Sequence, residues 1–452
     1  MTDTIGVEID KVSVESYESG FAIGHAAPRI SWRFKGQTEN WVQASYDIVI
    51  KRDGGNYEST VTSSQSRLVE WPDKPLRARE AVKVTVRATG QDGSSTGWAS
   101  LDIETTLFSS DDWTALPITA EKQSSTESKQ PFQVRKTFQL EHKPSRARLY
   151  ITSLGLYDAT INGKRVGDHV LAPGWQSYRH HLNFQTFDVS DLLQAGENVF
   201  SSYIGSGWYS GRLGWRGGHR NIYGDRNALM AQLEGDDGHP IVATDSSWQW
   251  SFGQILASEL YDGETFDSRC VEEVWTPVEV LERPSAELIS TESAPVRRVQ
   301  EISPMSLIKT PSGKFILDLG QNMVGWMRLN RQPCGADGSE IVLTHAEVLE
   351  HGELGTRPLR EAKAQDRIIL GGDLIGHEPR FTFHGFRYVQ VDGWPGLDLG
   401  CLTGIVIHTD MERLGDFSCS HPMIEQLYSN VNWSMKGNFV SIPSDCPQRD
   451  ER

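Results

Sequence analysis

The last eight residues concentrate ionisable groups around one Cys-Pro pair, in the order Asp445-Cys446-Pro447-Gln448-Arg449-Asp450-Glu451-Arg452. Three carboxylates and two guanidinium groups therefore lie within one octet, directly after the apolar run 439–443. Carboxyl groups that are held close to one another and to cations acquire shifted pKa values, which general acid catalysis requires. Charge clusters are more often solvated surface segments, so the residue types alone leave both interpretations open.

Five further segments carry motifs that accompany the octet. They are LAPGWQSY at 171–178, GSGWYSGR at 205–212, YDGETFD at 261–267, DLGQNMVGW at 318–326 and FTFHGFRY at 381–388. In this order, and together with the octet, they resemble the alpha-L-rhamnosidases of glycoside hydrolase family 78. The octet is similar to the start of the family's catalytic domain, and the five motifs are similar to its non-catalytic region. The resemblance covers nearly the whole chain.

This resemblance implies an enzyme that releases terminal alpha-L-rhamnose from rhamnosides by inversion, without a cofactor or a metal ion. Inversion needs one carboxylic acid to protonate the leaving oxygen and a second carboxylate to activate water. The motif, matched residue by residue, assigns Glu451 as the general acid and Asp445 as a carboxylate that binds sugar hydroxyls. Arg449 and Asp450 match substrate-binding neighbours. Asp450 is also a second candidate for the acid, because some relatives have one acidic residue at this pair.

The same resemblance implies that the general base lies beyond residue 452. We therefore expect the 452-residue chain to be an inactive part of a longer enzyme. An adjacent Asp450 would raise the pKa of Glu451, whereas Arg449 and Arg452 would lower it. The sequence does not decide this balance.

Composition narrows the class of partner. A formal net charge of -16 and the absence of basic runs argue against nucleic acid and anionic membranes. The resemblance implies rhamnose-containing glycosides as the partners. The N-terminus has no basic start and no apolar run, which predicts a cytoplasmic protein.

His180, His181 and His384 show no ligand spacing, so no metal site is predicted. The aglycone, the linkage and the oligomeric state stay open.

Five cysteines are widely spaced and include no CxxC pair, which indicates reduced thiols rather than disulfides or a zinc site. They are Cys270, Cys334, Cys401, Cys419 and Cys446.

Hydrophobic alternation predicts a mainly β chain of successive sandwich or jelly-roll domains. Residues 1–106 are expected to form a fibronectin-like sandwich, in which Tyr46, Ile48 and Ile50 face one side. Residues 107–300 are expected to form a jelly-roll-like domain with a hairpin turn at Asn162-Gly163-Lys164. Residues 301–410 are expected to form a concanavalin-like sandwich with a tight turn at 320–322. Residues 411–452 would begin an (α/α)6 barrel that is otherwise missing from the chain.

The pattern becomes helical after residue 421. Ile424, Leu427, Tyr428 and Val431 recur at i, i+3, i+4 and i+7, which predicts an amphipathic helix with Ser420 as its cap. One helix cannot bury its own apolar face, so we expect that face to drive self-association unless the helix folds back on the third domain.

Several aromatic and acidic residues have two interpretations. Trp175, Trp208 and Trp215 could stack on a saccharide, but core packing is the favoured interpretation for each. The acidic residues of the 261–267 motif could reach the sugar, but a hydrogen-bonded turn is favoured. The alternative to an enzyme is a non-catalytic carbohydrate-binding or scaffolding protein built from stacked sandwiches.

Overall fold

The structure is a computed structural model that describes residues 6–36, 40–123, 127–269 and 273–449. It is mainly β, as the sequence predicts. The chain forms two compact units. Unit 1 contains residues 1–114, 183–187 and 287–294, and unit 2 contains residues 115–182, 188–286 and 295–452.

The elements in the first half of the described chain are mostly strands of six to ten residues. They are β1 (Glu8–Val14), β2 (Ile30–Lys35), β3 (Gln43–Arg52), β4 (Gly55–Thr62), β5 (Ala81–Gly90), β6 (Ala99–Glu104), β7 (Ile118–Thr119), β8 (Phe132–Leu140), β9 (Arg148–Leu154), β10 (Leu156–Ile161), β11 (Lys164–Arg165), β12 (His181–Asp188), β13 (Gly196–Gly205), the short helix α1 (Gly207–Ser210) and β14 (Ala228–Glu234).

The second half contains mostly shorter strands, one strand of 15 residues and the longer helix. Its elements are β15 (Pro240–Ala243), β16 (Gln249–Phe252), β17 (Ile255–Glu259), β18 (Gly263–Asp267), β19 (Thr276–Pro277), β20 (Glu279–Val280), β21 (Glu287–Ser290), β22 (Val296–Ile302), β23 (Ser306–Lys309), β24 (Phe315–Leu329), β25 (Glu340–Ala346), β26 (Val348–Glu350), β27 (Glu353–Gly355), β28 (Gln365–Ile369), β29 (His384–Asp392), β30 (Leu402–Thr409), α2 (Pro422–Gly437), β31 (Phe439–Val440) and β32 (Ile442–Pro443).

Unit 1 is built on a four-stranded antiparallel sheet in the order β4-β3-β5-β6, with β1 and β2 as a second pair. Tyr46, Ile48 and Ile50 on β3 are buried, and the intervening residues Asp47 and Val49 are partly exposed. The predicted period of two is therefore confirmed, because alternate side chains of a strand point to opposite faces.

Unit 2 contains a six-stranded sheet in the order β11-β10-β13-β8-β16-β19. The predicted hairpin turn at Asn162-Gly163 joins β10 to β11, and both residues have positive φ, at 53° and 75°. A hairpin turn of this type needs positive φ at both central residues, which Asn and Gly tolerate. In another sheet of this unit β14 pairs with β7, β9 and β15.

The largest sheet has nine strands and includes His345, Asp366 and His384. Its order is β17-β18-β28-β25-β29-β24-β30-β22, with β23 paired to β24. One buried apolar cluster contains Leu156 and Trp208 together with Trp326 and Phe386 of this sheet. The cluster therefore extends across residue 300, and the domain boundaries drawn from the sequence stay predictions.

The tight turn predicted at residues 320–322 is wrong. These residues belong to β24, which pairs with β29 on both sides of a register shift between Asp318 and Met323. Gly320 has φ +73° at this irregularity. Extra residues in one strand of an antiparallel pair bend it without ending it, and a positive φ favours glycine there.

Helix α2 confirms the helical pattern but not its predicted cap. The capping position is His421, no side chain bonds to the helix start there, and Pro422 is the first helical residue. The predicted cap, Ser420, is therefore wrong by one residue. Met423, Leu427 and Val431 are 76%, 60% and 56% exposed, so the apolar face is open to solvent. Coverage of this face by an (α/α)6 barrel stays a prediction.

Among the described residues no helix combines the length and the apolar character that a bilayer crossing requires.

Candidate active site

The described part of the octet extends from Asp445 to Arg449. Asp445 is exposed, Arg449 is half-buried, and the Cys446 thiol donates to Asp445 Oδ2 over 3.6 Å. Asp450 and Glu451, the two candidates for the general acid, lie outside the described residues. The structure therefore places the segment that leads to the predicted acid, and the acid itself stays a prediction.

The short hairpin before the octet is anchored to unit 2 at three points. Val440 is buried in the large apolar cluster. The Ser441 hydroxyl accepts the Trp175 N–H at 2.9 Å, and the Ser441 N–H donates to the Thr409 hydroxyl at 3.1 Å. The motif at 171–178 and the end of β30 thus hold the chain where it enters the octet.

The octet also packs closely on β29. A Cβ atom added at Gly385 would lie 3.0 Å from both the backbone N and the Cβ of Gln448. Such distances are shorter than ordinary van der Waals contact, so a larger residue at position 385 would displace Gln448 by a few tenths of an ångström. Gly385 belongs to the 381–388 motif, which therefore supports the segment that carries the candidate acid.

The other motifs are joined in pairs by ion pairs. Arg212, from the 205–212 motif, donates to both carboxylate oxygens of Asp262 at 2.5 and 3.2 Å. Arg387, from the 381–388 motif, donates to both oxygens of Asp318 at 2.7 and 2.9 Å. The Arg387 hydrogen bonds hold the pKa of Asp318 below its ordinary value. Bidentate pairs of this kind fix geometry, so these motif residues connect segments of the chain.

The acidic residues of the 261–267 motif are engaged within the protein, but only Asp262 lies in a turn, because Gly263–Asp267 form β18. Asp267 accepts hydrogen bonds from the Arg269 side chain, the shortest at 2.9 Å from Nε and 2.5 Å from the terminal nitrogen, and one from the Arg269 backbone N–H at 3.1 Å. These bonds lower the pKa of Asp267. With Asp262 bonded to Arg212, both aspartates are ion-paired.

Glu264 is different, because it is buried and no arginine side chain donates to it in the described structure. Burial raises the pKa of Glu264 to about 8, chiefly by desolvation of the carboxylate, although its Oε2 accepts the Arg380 backbone N–H at 3.0 Å. Oε1 has no hydrogen-bond partner among the described residues and lies 3.8 Å from His377 Nε2. The side chain is therefore a neutral carboxylic acid at pH 7.

The sheet brings together three further ionisable residues that the sequence analysis did not connect: His345 on β25, Asp366 on β28 and His384 on β29. Each offers an atom within 4.8 Å of the others, and all three are buried. His384 Nε2 lies 3.2 Å from both Asp366 oxygens. Burial tends to raise the pKa of Asp366, but the two histidines hold it below its ordinary value. Asp366 is thus an acceptor, and His384 donates to it.

This cluster does not suit a metal ion in the observed geometry. The rings of His345 and His384 are stacked at 4.2 Å with 19° between their planes. A ring nitrogen coordinates in the plane of its ring, so two nearly parallel stacked rings direct their lone pairs side by side and not towards one point. Burial lowers the pKa of His345 to about 3, and its Nδ1 donates to the Ala364 carbonyl at 3.0 Å. Within the cluster His384 is hydrogen-bonded to Asp366, whereas His345 Nε2 has no hydrogen-bond partner among the described residues and lies 3.9 Å from Asp366 Oδ2.

The three tryptophans divide between the two interpretations. Trp208 is buried and stacks on Trp175 at 5.9 Å, so core packing is confirmed for Trp208. Trp215 is 58% exposed, with the Arg360 guanidinium 4.2 Å from its ring centre, so core packing is wrong for this residue. Trp175 is half-buried and donates from Nε1 to the Tyr223 hydroxyl at 3.2 Å.

Four family models match consecutive parts of the chain. They describe a Rha78A-like N-terminal immunoglobulin domain at 9–109, an alpha-L-rhamnosidase N-terminal domain at 142–300, a bacterial alpha-L-rhamnosidase concanavalin-like domain at 308–408 and a bacterial alpha-L-rhamnosidase 6 hairpin glycosidase domain at 412–452. The last match contains the whole octet.

Curated relatives and solved structures agree with these models. An alpha-L-rhamnosidase of Streptomyces avermitilis is 41% identical over 71% of this chain and 32% of its own length, and one of Formosa agariphila is 31% identical over 97% and 51%. The crystal structure of the Aspergillus terreus alpha-L-rhamnosidase has 46% identity and a TM-score of 0.93, covering 99% of this chain and 54% of that one. The Streptomyces avermitilis enzyme complexed with L-rhamnose has 27% identity and a TM-score of 0.91, covering 99% and 62%. The chain spans about a third to a half of the curated relatives it matches.

Proposed function

The chain belongs to the alpha-L-rhamnosidase family, and from this premise we propose that it contributes the acid side of an active site that hydrolyses terminal alpha-L-rhamnosides. The observation that carries the proposal is the anchoring of the octet. Ser441 is bonded to Trp175 and Thr409, and Gln448 lies against Gly385. A catalytic side chain must be held in place by its neighbours, and this segment is held by two strands and a motif loop.

In the proposed reaction Glu451 protonates the glycosidic oxygen while a carboxylate across the ring activates water, which inverts the anomeric centre. Asp445 is exposed and close to the anchored hairpin, a position that suits a carboxylate binding sugar hydroxyls. Arg449 and Asp450 would complete the sugar contacts and set the charge around the acid. The reaction uses protein carboxyl groups alone and needs no cofactor.

We further propose that the general base lies outside this chain, in an (α/α)6 barrel that begins at α2. The exposed apolar face of α2 supports this, because Met423, Leu427 and Val431 need apolar neighbours to leave water. The same proposal divides the chain into four domains, at residues 1–106, 107–300, 301–410 and 411–452. On this basis the 452-residue chain alone binds sugar weakly and does not turn it over.

The test is an assay of two proteins on an aryl alpha-L-rhamnoside: the product of the complete gene and the 452-residue chain. We expect turnover by the complete product alone. Proton NMR of the first product should show beta-L-rhamnose, since inversion converts the alpha anomer. Initial release of alpha-L-rhamnose would contradict inversion, and turnover by the 452-residue chain would contradict an external base. Absence of turnover by either protein, with retained rhamnose binding, would favour the non-catalytic alternative.

The contact between Gly385 and Gln448 gives a second prediction for the complete product. Gly385→Ala places a methyl group 3.0 Å from the Gln448 backbone, so the octet must move by a few tenths of an ångström. We expect kcat to fall about tenfold with little change in melting temperature, because misplacement of a catalytic group by about 1 Å costs about 100-fold. Gly415→Ala is the matched control, since its Cβ meets nothing within 4 Å. Equal kcat in both variants would show that the contact does not position the acid.

A further inference from the structure

Unit 2 contains a cavity of about 390 Å³ beside the loop that carries the 171–178 motif. Its walls come from two segments, 175–180 and the loop that contains Leu213, Ile222 and Tyr223. The volume lies within the range of small-molecule sites, at the small end. Trp175, one of the wall residues, is also the residue whose N–H bonds to Ser441. The cavity is therefore joined by one hydrogen bond to the hairpin that leads to the octet.

Flat aromatic side chains form much of the wall, and their positions are fixed. Trp175 stacks on the buried Trp208, with ring centres 5.9 Å apart and 14° between the planes. Tyr178 and Tyr223 contact each other at 4.9 Å, and Trp175 Nε1 donates to the Tyr223 hydroxyl at 3.2 Å. A pyranose ring presents an apolar face of C–H groups, and rigid aromatic surfaces bury such a face at low entropic cost.

The remaining lining residues divide into an apolar and a polar group. Leu213 and Ile222 are apolar. Among the polar residues Gln176 is buried, and Ser177, Arg179 and His180 are exposed. The Arg179 guanidinium donates to the Ile222 carbonyl at 3.4 Å. A guanidinium has five N–H donors, so one such bond leaves donors for hydroxyl groups. The cavity thus offers aromatic faces, an apolar surface for a methyl group and polar side chains for hydroxyls.

We propose that this cavity is a second saccharide site, which binds one neutral 6-deoxyhexose ring without hydrolysing it. The aromatic residues would cover the apolar face of the ring, Leu213 and Ile222 would take the methyl group, and Arg179 and His180 would bind the hydroxyls. The lining, as far as the described residues show it, contains no carboxylate and so supplies no acid or base for hydrolysis. The site rests on the proposed hydrolytic function only for the choice of L-rhamnose as the probe.

The test uses the 452-residue chain and needs no turnover, so its failure is distinct from failure of the proposed hydrolysis. L-Rhamnose binding is followed by saturation-transfer NMR titration. We expect millimolar binding that weakens about tenfold in Arg179→Ala, as for loss of a hydrogen bond to a charged group. Tyr223→Ala should weaken binding at least as much. Arg179 is exposed, so its variant decides the question even if Tyr223→Ala does not fold.

Two controls locate the binding. Trp98→Ala removes an exposed tryptophan of unit 1 that also has an arginine over its ring, Arg87 at 4.8 Å, and it should leave rhamnose binding unchanged. Arg67→Ala removes an exposed arginine of unit 1 and should also leave rhamnose binding unchanged. The proposal is overturned if rhamnose shows no transfer, or if Arg179→Ala binds rhamnose as tightly as the wild type does. Tighter binding of D-glucuronate than of L-rhamnose would also overturn it, because the site would then select an anion.

Discussion

Replacing Glu451 by Gln in the product of the complete gene is expected to lower kcat on an alkyl alpha-L-rhamnoside by about 100- to 10,000-fold, the usual contribution of a general acid. The amide keeps the size of the side chain but cannot give a proton to the leaving oxygen. An aryl rhamnoside with an acidic phenol as leaving group needs less protonation, so its kcat should fall much less. This dependence on the leaving group separates loss of the acid from loss of the fold.

Asp450→Asn is the matched control for Glu451, because it neutralises the adjacent carboxylate. We expect a modest loss of kcat and a retained alkaline limb of the pH profile, whereas Glu451→Gln should abolish that limb. If Asp450→Asn instead shows the large loss and the missing limb, Asp450 is the acid. If both variants keep near-normal kcat on the alkyl substrate, the octet does not carry the acid.

The second prediction concerns Glu264 and the pH dependence of stability. Burial raises the pKa of this carboxyl from 4.5 to about 8. Between these values the folded protein holds a proton that the unfolded chain has released, so the free energy of unfolding falls as pH rises from about 4.5 to 8. At about 1.4 kcal/mol per pH unit the interval corresponds to about 5 kcal/mol as an upper bound.

Glu264→Gln removes this ionisation and keeps an oxygen that can accept the Arg380 N–H. We expect the variant to gain stability relative to the wild type at pH 9 and to differ little at pH 4.5. The measurement is the free energy of unfolding by urea at pH 4.5, 7 and 9. Parallel pH profiles for the two proteins would show that Glu264 is not held neutral.

Asp267→Asn provides the contrasting variant. Its pKa is lowered by the hydrogen bonds from Arg269, so the ionised form stabilises the folded state above the ordinary aspartate pKa. Removing the charge should therefore lower stability by a similar amount at pH 7 and pH 9. The two variants lie on the same strand, β18, and should change the pH profile in different ways.

Local patterns predicted much of the fold and the family. Alternation in β3, the Asn162-Gly163 turn and the helical period of α2 depend on neighbouring residues, and the structure confirms all three. The failures at Ser420 and at residues 320–322 are also local. The capping position is His421 and not Ser420. Residues 320–322 belong to β24 because this strand pairs with β29 on both sides of them.

The motif residues themselves were visible in the sequence, but their contacts were not. Arg212 is separated from Asp262 by 50 residues, and Asp318 from Arg387 by 69. Each pair meets only because distant segments of the chain are neighbours in space. The exposure of Trp215 could not be predicted from the sequence either. Its residue type favours the core, yet the loop that carries it leaves the ring exposed.

The sequence by itself determined the family and the mainly β character, because both depend on residue types and short spacings. Through the family resemblance it also nominated Glu451 as the acid, which stays a prediction. Only the tertiary structure decided that Gly385 supports Gln448 and that Glu264 is a neutral acid. It also decided that His345 and His384 stack beside Asp366. Desolvation and close approach depend on which strands become neighbours, and strand pairing is set by packing of the whole unit.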